Sequence, residues 1–169
     1  MGKSQIGRAG ELALQLYALV TSAGEIDIYS PIVDDDHIDL VAGARGGEPV
    51  LGIQVKTSTG LDRDGLVEAR ASYEAGKVRA DANFLYAIVL LDGVRIEALW
   101  IIPSPELNHI AYRIVKHGRE VLEVRASPSR DDSFSAFRID PMQLGNSLVT
   151  FIGASGPRPE WLRALVEPR

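Results

Sequence analysis

Four residues in the first third of the chain, Glu11, Asp39, Gln54 and Lys56, are of types whose meeting would be chemically useful. Carboxylate and carboxamide oxygens suit a hard divalent cation, and an ammonium group suits a phosphate. Their faces follow from the local pattern. In Val50-Leu51-Gly52-Ile53-Gln54-Val55-Lys56, an extended chain alternates its side chains. Leu51, Ile53 and Val55 then share one apolar face, and Gly52, Gln54 and Lys56 share the other. Asp39 lies between Ile38 and Leu40 in a second β-prone run, His37 to Ala42, and points away from that apolar pair. Gly43 to Pro49 holds Gly43, Gly46, Gly47 and Pro49, which reads as a hairpin turn. Antiparallel pairing across it brings Asp39 within a residue or two of Gln54 and Lys56. Glu11 belongs to a helix expected over Ser4 to Ala23. Gly7 and Gly10 precede it, and a glycine inside a helix costs about 1 kcal/mol relative to alanine. Two of them imply a close approach to another element.

Each residue alone also has an ordinary reading. Gln54 and Lys56 fit the solvated face of an edge strand, Asp39 fits a surface carboxylate paired with a lysine, and Glu11 fits an exposed partner of Arg8. The joint pattern is more specific. Gly7-Arg8-Ala9-Gly10-Glu11, then His37-Ile38-Asp39-Leu40-Val41, then Ile53-Gln54-Val55-Lys56-Thr57-Ser58 resembles the PD-(D/E)XK nuclease superfamily, as seen in many restriction enzymes and archaeal-type Holliday junction resolvases. The likeness spans roughly the first hundred residues. It implies a metal-dependent endonuclease hydrolysing DNA phosphodiester bonds, with Mg²⁺ or Mn²⁺ as cofactor. It further implies that Asp39 is the main metal ligand, with the Val55 backbone carbonyl and the Gln54 side-chain oxygen completing the protein side. Glu11 would ligand a second metal or hold a metal-bound water, and Lys56 would orient the attacking water or neutralise the phosphate. The chain departs from the pattern at Gln54, where the family usually carries Asp or Glu, and at Ile38, where the motif name expects proline. The lost charge at Gln54 implies metal binding weaker by about an order of magnitude.

The elements that must position these residues can be traced along the chain. Glu25–Tyr29, His37–Ala42 and Val50–Lys56 read as strands, and Leu66–Arg70 as a short one. Ser72 caps an expected helix through Ala80. Phe84–Leu91 is a continuous apolar run, as for a strand buried on both faces, and Asp92-Gly93 turns it into a partner over Val94–Ile102. Glu106–Val115 reads as helix, Glu120–Arg125 and Phe134–Ile139 as β-like, and Pro141–Phe151 and Glu160–Val166 as helices. The expected fold is α/β: a central mixed β-sheet flanked by helices, a restriction-endonuclease-like core over 1–103 with a C-terminal α+β extension over 104–169, all in one domain.

The bulk properties agree with a single globular domain of 169 residues, 46% hydrophobic and 24% charged. Without cysteine there is no disulfide, thiolate site or cysteine nucleophile. The sequence shows no signal peptide and no apolar run long enough for a membrane, so a cytoplasmic location is the default expectation. It also has no phosphate-binding glycine loop, so no nucleotide cofactor is expected. The net charge of -5 counts against a nucleic-acid partner in bulk, but binding is decided locally. Lys3, Arg8, Thr57, Ser58, Arg70, Lys77 and Arg79 are the candidate contacts to DNA phosphates. Asp34, Asp35 and Asp36 lack the glycine and distal glutamate of a calcium loop. His109 and His117 read as structural, and Trp100 and Trp161 as packing residues. A homodimer is expected, since cutting two strands takes two sites. The alternative is a non-catalytic nucleic-acid or protein interaction module on the same fold, with Gln54 marking a lapsed metal site. A third possibility is a structural domain whose polar strand faces solvent.

Overall fold

The computed structural model describes residues 2–32 and 37–166. Helix α1 (Lys3–Thr21) opens the chain. It is followed by strands β1 (Ile26–Tyr29), β2 (Leu40–Ala44), β3 (Leu51–Ser58), β4 (Val67–Glu74), β5 (Phe84–Asp92) and β6 (Arg95–Pro103). Then come helix α2 (Ser104–Ile110), the hairpin β7 (Tyr112–Lys116) and β8 (Arg119–Ala126), the short β9 (Arg138–Ile139), and helices α3 (Leu144–Ala154) and α4 (Glu160–Val166). Six strands form a mixed sheet in the order β1-β2-β3-β5-β6-β9, and β4-β8-β7 form a second, antiparallel sheet. In the large sheet β3 and β5 run parallel, while the neighbouring pairs are antiparallel. The expected central mixed sheet with flanking helices is the observed architecture.

Two apolar cores lie on the two faces of the large sheet. On one face Leu14 and Ala18 of α1 and Leu144 and Leu148 of α3 meet Leu40, Leu51, Ile53, Leu85, Val89 and Leu99. On the other, Phe84, Tyr86, Ile88 and Trp100 meet the inward residues of the second sheet, Val67, Ala69, Ala71, Tyr73, Leu122 and Val124, together with Leu107, Leu162 and Leu165. Every residue from Phe84 to Leu91 is buried, because β5 is covered by helices on one side and a sheet on the other. Burying each large apolar side chain in these layers is worth about 1.5–3 kcal/mol.

Several local expectations change. The first helix is capped at Gly2, whose N–H donates to Gln5 Oε1 at 2.9 Å, so Ser4 lies inside the first turn. The helix expected from Ser72 to Ala80 does not form. Strand β4 continues to Glu74, because Val67, Ala69, Ala71 and Tyr73 alternate inward and pair along β8. The helix expected over Glu106–Val115 stops at Ile110, and Tyr112–Lys116 becomes an edge strand instead. Phe134–Ile139 is mainly a 3₁₀ turn, with two residues added to the large sheet. The segment after Pro103, expected as an extension, supplies β7 and β8 to one sheet and β9 to the other, and helices to both cores. Asp34, Asp35 and Asp36 lie outside the described residues. Among the described residues no helix is long and apolar enough to cross a membrane.

Helix α3 is locked onto the end of α1 at Gly145. Its N–H donates to Thr21 Oγ1 at 2.7 Å, and a Cβ built there would lie 2.1 Å from the Ser22 backbone nitrogen. No rotamer change relieves a clash with backbone. Gly145→Ala is therefore expected to lose about 1–3 kcal/mol or more by overpacking, read as a lower midpoint in chemical denaturation. An unchanged midpoint would mean that α3 does not hold α1 in place.

Candidate functional site

The site forms where β2 leaves β3. The ladder between them runs from Ala42↔Leu51 to Leu40↔Ile53, and the Asp39 N–H still donates to the Ile53 carbonyl at 3.0 Å. Past that point the Asp39 carboxylate takes over the role of the strand. Its Oδ2 accepts the Val55 N–H at 2.7 Å, a charge-assisted bond worth about 1.5–3 kcal/mol. In an extended strand a residue's N–H and C=O point to the same edge. The Val55 carbonyl therefore points to the edge that β2 has vacated and Asp39 occupies. The hairpin expected from the glycines near residue 45 thus sets the register that brings Asp39 opposite Gln54.

Gln54 and Lys56 sit on the face turned to the second sheet, as the alternation of β3 requires. That face is not solvated, which removes the reading of a polar edge strand. Gly52 is covered by the Trp161 ring, 2.9 Å from where a Cβ would be. Gln54 is only 2% exposed. Its Oε1 accepts the Tyr73 hydroxyl at 3.0 Å, and Tyr73 in turn shares a short hydrogen bond with Tyr86. The oxygen expected to face a metal thus faces a tyrosine, because the β4 strand that replaces the expected helix carries Tyr73 inward. The His37 ring lies 4.3 Å from that of Tyr73. Lys56 is half-buried. Burial pushes its ammonium below the ordinary lysine range, and the nearby Asp39 carboxylate pulls it part of the way back.

Glu11 comes from the other layer. Gly10 packs on Thr57 so closely that a Cβ would lie 1.9 Å from Thr57 Oγ1. This is the close approach that the helix glycines implied, made by Gly10 and not by Gly7, which has open space beside it. The turn of α1 that carries Glu11 is therefore pressed against β3 one residue from Lys56. The Glu11 carboxylate accepts from Arg8 at 2.7 Å and is 19% exposed. Glu11 is carried by the helix on one face of β3, Gln54 and Lys56 lie on the opposite face, and the Asp39 carboxylate meets the β3 backbone at its edge. Among the described residues no three His, Asp or Glu side chains group as a ready metal site. A cation here needs the Val55 carbonyl or substrate oxygens beside its carboxylates, and Mg²⁺ commonly takes only one or two carboxylates.

Lys56 opens into a cleft of about 820 Å³ lined also by His37, Gln54, Arg70, Ser72, Tyr73, Glu74, Lys77, Arg79 and Arg119. Among the described residues, five cationic side chains and one carboxylate line it, in a chain of net charge -5. Arg70 pairs with Glu68 and Glu123, Lys77 with Glu74, and Arg119 donates to Ser72 Oγ at 2.9 Å. The Arg70–Glu68 and Lys77–Glu74 pairs are exposed and worth about 0–1 kcal/mol, so an incoming polyanion can displace them. Arg79 lies over the rings of Phe84 and Trp161, at 5.2 and 4.6 Å. The other candidate contacts are elsewhere. Thr57 Oγ1 is buried against α1, Ser58 closes a turn with Gly60, Arg8 is held by Glu11, and Lys3 is exposed at the start of α1. Sequence reading missed Ser72, Tyr73, Tyr86 and Arg119. The alternation Val67-Ala69-Ala71-Tyr73 was the available signal for the first two.

The chain matches no protein-family model and no curated protein. Its fold is similar to a solved structure of a bacterial homing endonuclease, I-Ssp6803I, with a TM-score of 0.54 and 16% identity. The likeness covers 92% of this chain and 95% of that one. The chain therefore shares its fold with that structure over nearly its whole length.

The lowered Lys56 makes a signed prediction. The unfolded chain binds this proton more tightly than the folded one, so the Lys56 contribution to stability rises with pH between its depressed folded value and about 10.4. Lys56→Met removes that rise. The stability of wild type minus that of Lys56→Met, measured by denaturant titration from neutral to alkaline pH, is expected to increase with pH. A flat difference would show that Lys56 is not disfavoured as a cation in the fold.

Proposed function

We propose that this protein is a metal-dependent endonuclease that hydrolyses DNA phosphodiester bonds at a PD-(D/E)XK-type site built from Glu11, Asp39, Gln54 and Lys56. The observation that carries the reading is the junction at the end of β2. There the Asp39 carboxylate, the Val55 backbone edge and the Lys56 ammonium converge, and Lys56 opens into a cleft rich in cations. The fold shared with a homing endonuclease supports it. Asp39, the Val55 carbonyl and Glu11 would hold Mg²⁺ or Mn²⁺, and the donor set fits a hard cation that keeps several waters. When bound, such an ion supplies an activated water and offsets charge developing on the phosphate. The chain's own contribution is positional. Arg70, Lys77, Arg79 and Arg119 would attract and align the phosphate backbone. Lys56 would neutralise the scissile phosphate or orient the attacking water, and burial makes that contact stronger than it would be in water. A second copy would supply the second cut in a duplex. The exposed stripe of Leu12, Leu16 and Val20 on α1, with Met142 beside it, supports such a homodimer.

One specific feature favours a second reading. With Gln54 turned to Tyr73, the site offers two carboxylates among the described residues, Glu11 and Asp39, where the motif usually has a third acidic residue at the position of Gln54. A non-catalytic nucleic-acid interaction module would keep the basic cleft and lose the metal. The two readings separate on a panel of plasmid, linear, single-stranded and four-way-junction DNA with Mg²⁺ or Mn²⁺. The enzyme reading expects cleavage by the wild type, falling about a hundredfold or more in Asp39→Ala and in Lys56→Ala. DNA binding without cleavage of any substrate would establish the interaction module.

A further inference from the structure

Resting on the endonuclease reading above, we propose that the free end of the second sheet, Lys116 and Arg119 of the β7–β8 hairpin together with Lys77, is a preformed ridge for DNA phosphates. The duplex then leaves the cleft across β4, β8 and β7, and not along helix α1.

Strand β4 is an edge of the second sheet, and the cleft is lined from both of its faces. Tyr73 comes from the inward face, and Arg70, Ser72 and Glu74 from the outward one. The outward face continues onto β8 and β7. Cross-strand partners share a face, so Glu74, Arg119 and Lys116 form one row of it. Neighbouring strands lie about 4.8 Å apart, so the row reaches about 10 Å past β4. That is about the rise of three base pairs.

The cations of this face are not all matched alike. Arg70 is held by Glu68 and Glu123, and Arg125 by Asp62 and Asp64. At the free end the partners are different. Arg119 donates to Ser72 Oγ at 2.9 Å and to the Ser72 carbonyl at 3.2 Å, both neutral acceptors. Among the described residues Lys116 makes no ion pair. Glu74 pairs with Lys77 at 3.1 Å and stands opposite Arg119, so one carboxylate is shared between two cations. The neighbouring Glu120 is buried and taken by Arg113 and the Gly76 N–H.

The ridge is also held in place. His117 and Gly118 take positive φ, 51° and 73°, as the two central residues of a tight hairpin turn require. The Ala75 N–H donates to the Gly118 carbonyl at 2.9 Å, which ties this turn to the end of β4. Cations on a fixed turn need little further ordering when a polyanion docks. The exposed Tyr112 and Val115 of β7 would suit a protein partner. The unmatched charge, however, lies at the end of the hairpin that adjoins the cleft, which favours DNA.

The test measures DNA binding without cleavage. Anisotropy of a labelled duplex oligonucleotide is read in EDTA from about 50 to 200 mM KCl. The variants are Lys116→Ala, Lys116→Arg, which keeps the charge, and Arg95→Ala, which removes an equal charge from the exposed start of β6. Lys116→Ala is expected to weaken binding about threefold or more at the lowest salt, and to reduce the slope of log affinity against log salt by about 1. Lys116→Arg is expected to bind within about twofold of wild type, and Arg95→Ala to keep the wild-type slope. An unchanged slope in Lys116→Ala, an equal loss in Arg95→Ala, or no duplex binding by the wild type at the lowest salt would overturn the proposal. So would altered sedimentation of Lys116→Ala in place of weaker DNA binding, which would make the ridge a protein contact. If the slope changes as expected yet the wild type cleaves nothing with Mg²⁺ or Mn²⁺, the nuclease reading fails and the ridge stands. If the wild type cleaves and Lys116→Ala binds DNA normally, the ridge fails alone.

Discussion

Strand β3 is hydrogen-bonded along both edges and covered on both faces, and most of the candidate site follows from how that is achieved. One edge pairs antiparallel with β2 and the other parallel with β5. Where β2 ends, the backbone of β3 would be left with an unpaired N–H, and the Asp39 carboxylate satisfies it. A carboxylate used this way is anchored by the sheet itself. It cannot swing away from the strand without exposing a donor, so its position relative to Lys56 is held by the same interaction that completes the sheet.

The two faces of β3 impose different conditions. On the helix side, contact is so close that α1 can cross only at a glycine, and Gly10 against Thr57 provides the crossing. On the other side the second sheet brings Tyr73 over the strand, and a polar residue at position 54 must find a partner in the core. A neutral carboxamide meets this condition with the Tyr73 hydroxyl, whereas a charged group would carry a desolvation cost as well. Two residues further on, Lys56 reaches the cleft, where burial lowers the affinity of its amine for a proton. The gradient along one face, from Gly52 under Trp161 to buried Gln54 to half-open Lys56, is what turns an apolar strand into the floor of a site.

The cleft also resolves an apparent conflict of charge. Acidic residues predominate over the chain as a whole, yet Lys56, Arg70, Lys77, Arg79 and Arg119 gather around one opening. They come from three strands and the segment between β4 and β5, so no single window of sequence is markedly basic. Only the pairing of β4 with β8, which sets Glu74 opposite Arg119, brings Arg119 to residues more than forty positions earlier.

What the sequence determined by itself was local and periodic. The alternation of Leu51, Ile53 and Val55, the glycine-rich hairpin and the flanking Asp39 were enough to place Asp39 beside Gln54 and Lys56, because a short hairpin leaves few registers open. The apolar run of Phe84–Leu91 announced a strand covered on both faces. Tertiary structure decided what local propensity could not. Ser72–Ala80 and Tyr112–Val115 carry patterns that tolerate helix, but an alternating face buried against a sheet outweighs such weak preferences. That choice put Tyr73 over Gln54 and Arg119 into the cleft. The contact between Gln54 and Tyr73, and the gathering of cations from distant segments, depend on long sequence separations, and such contacts exist only once the layers have packed.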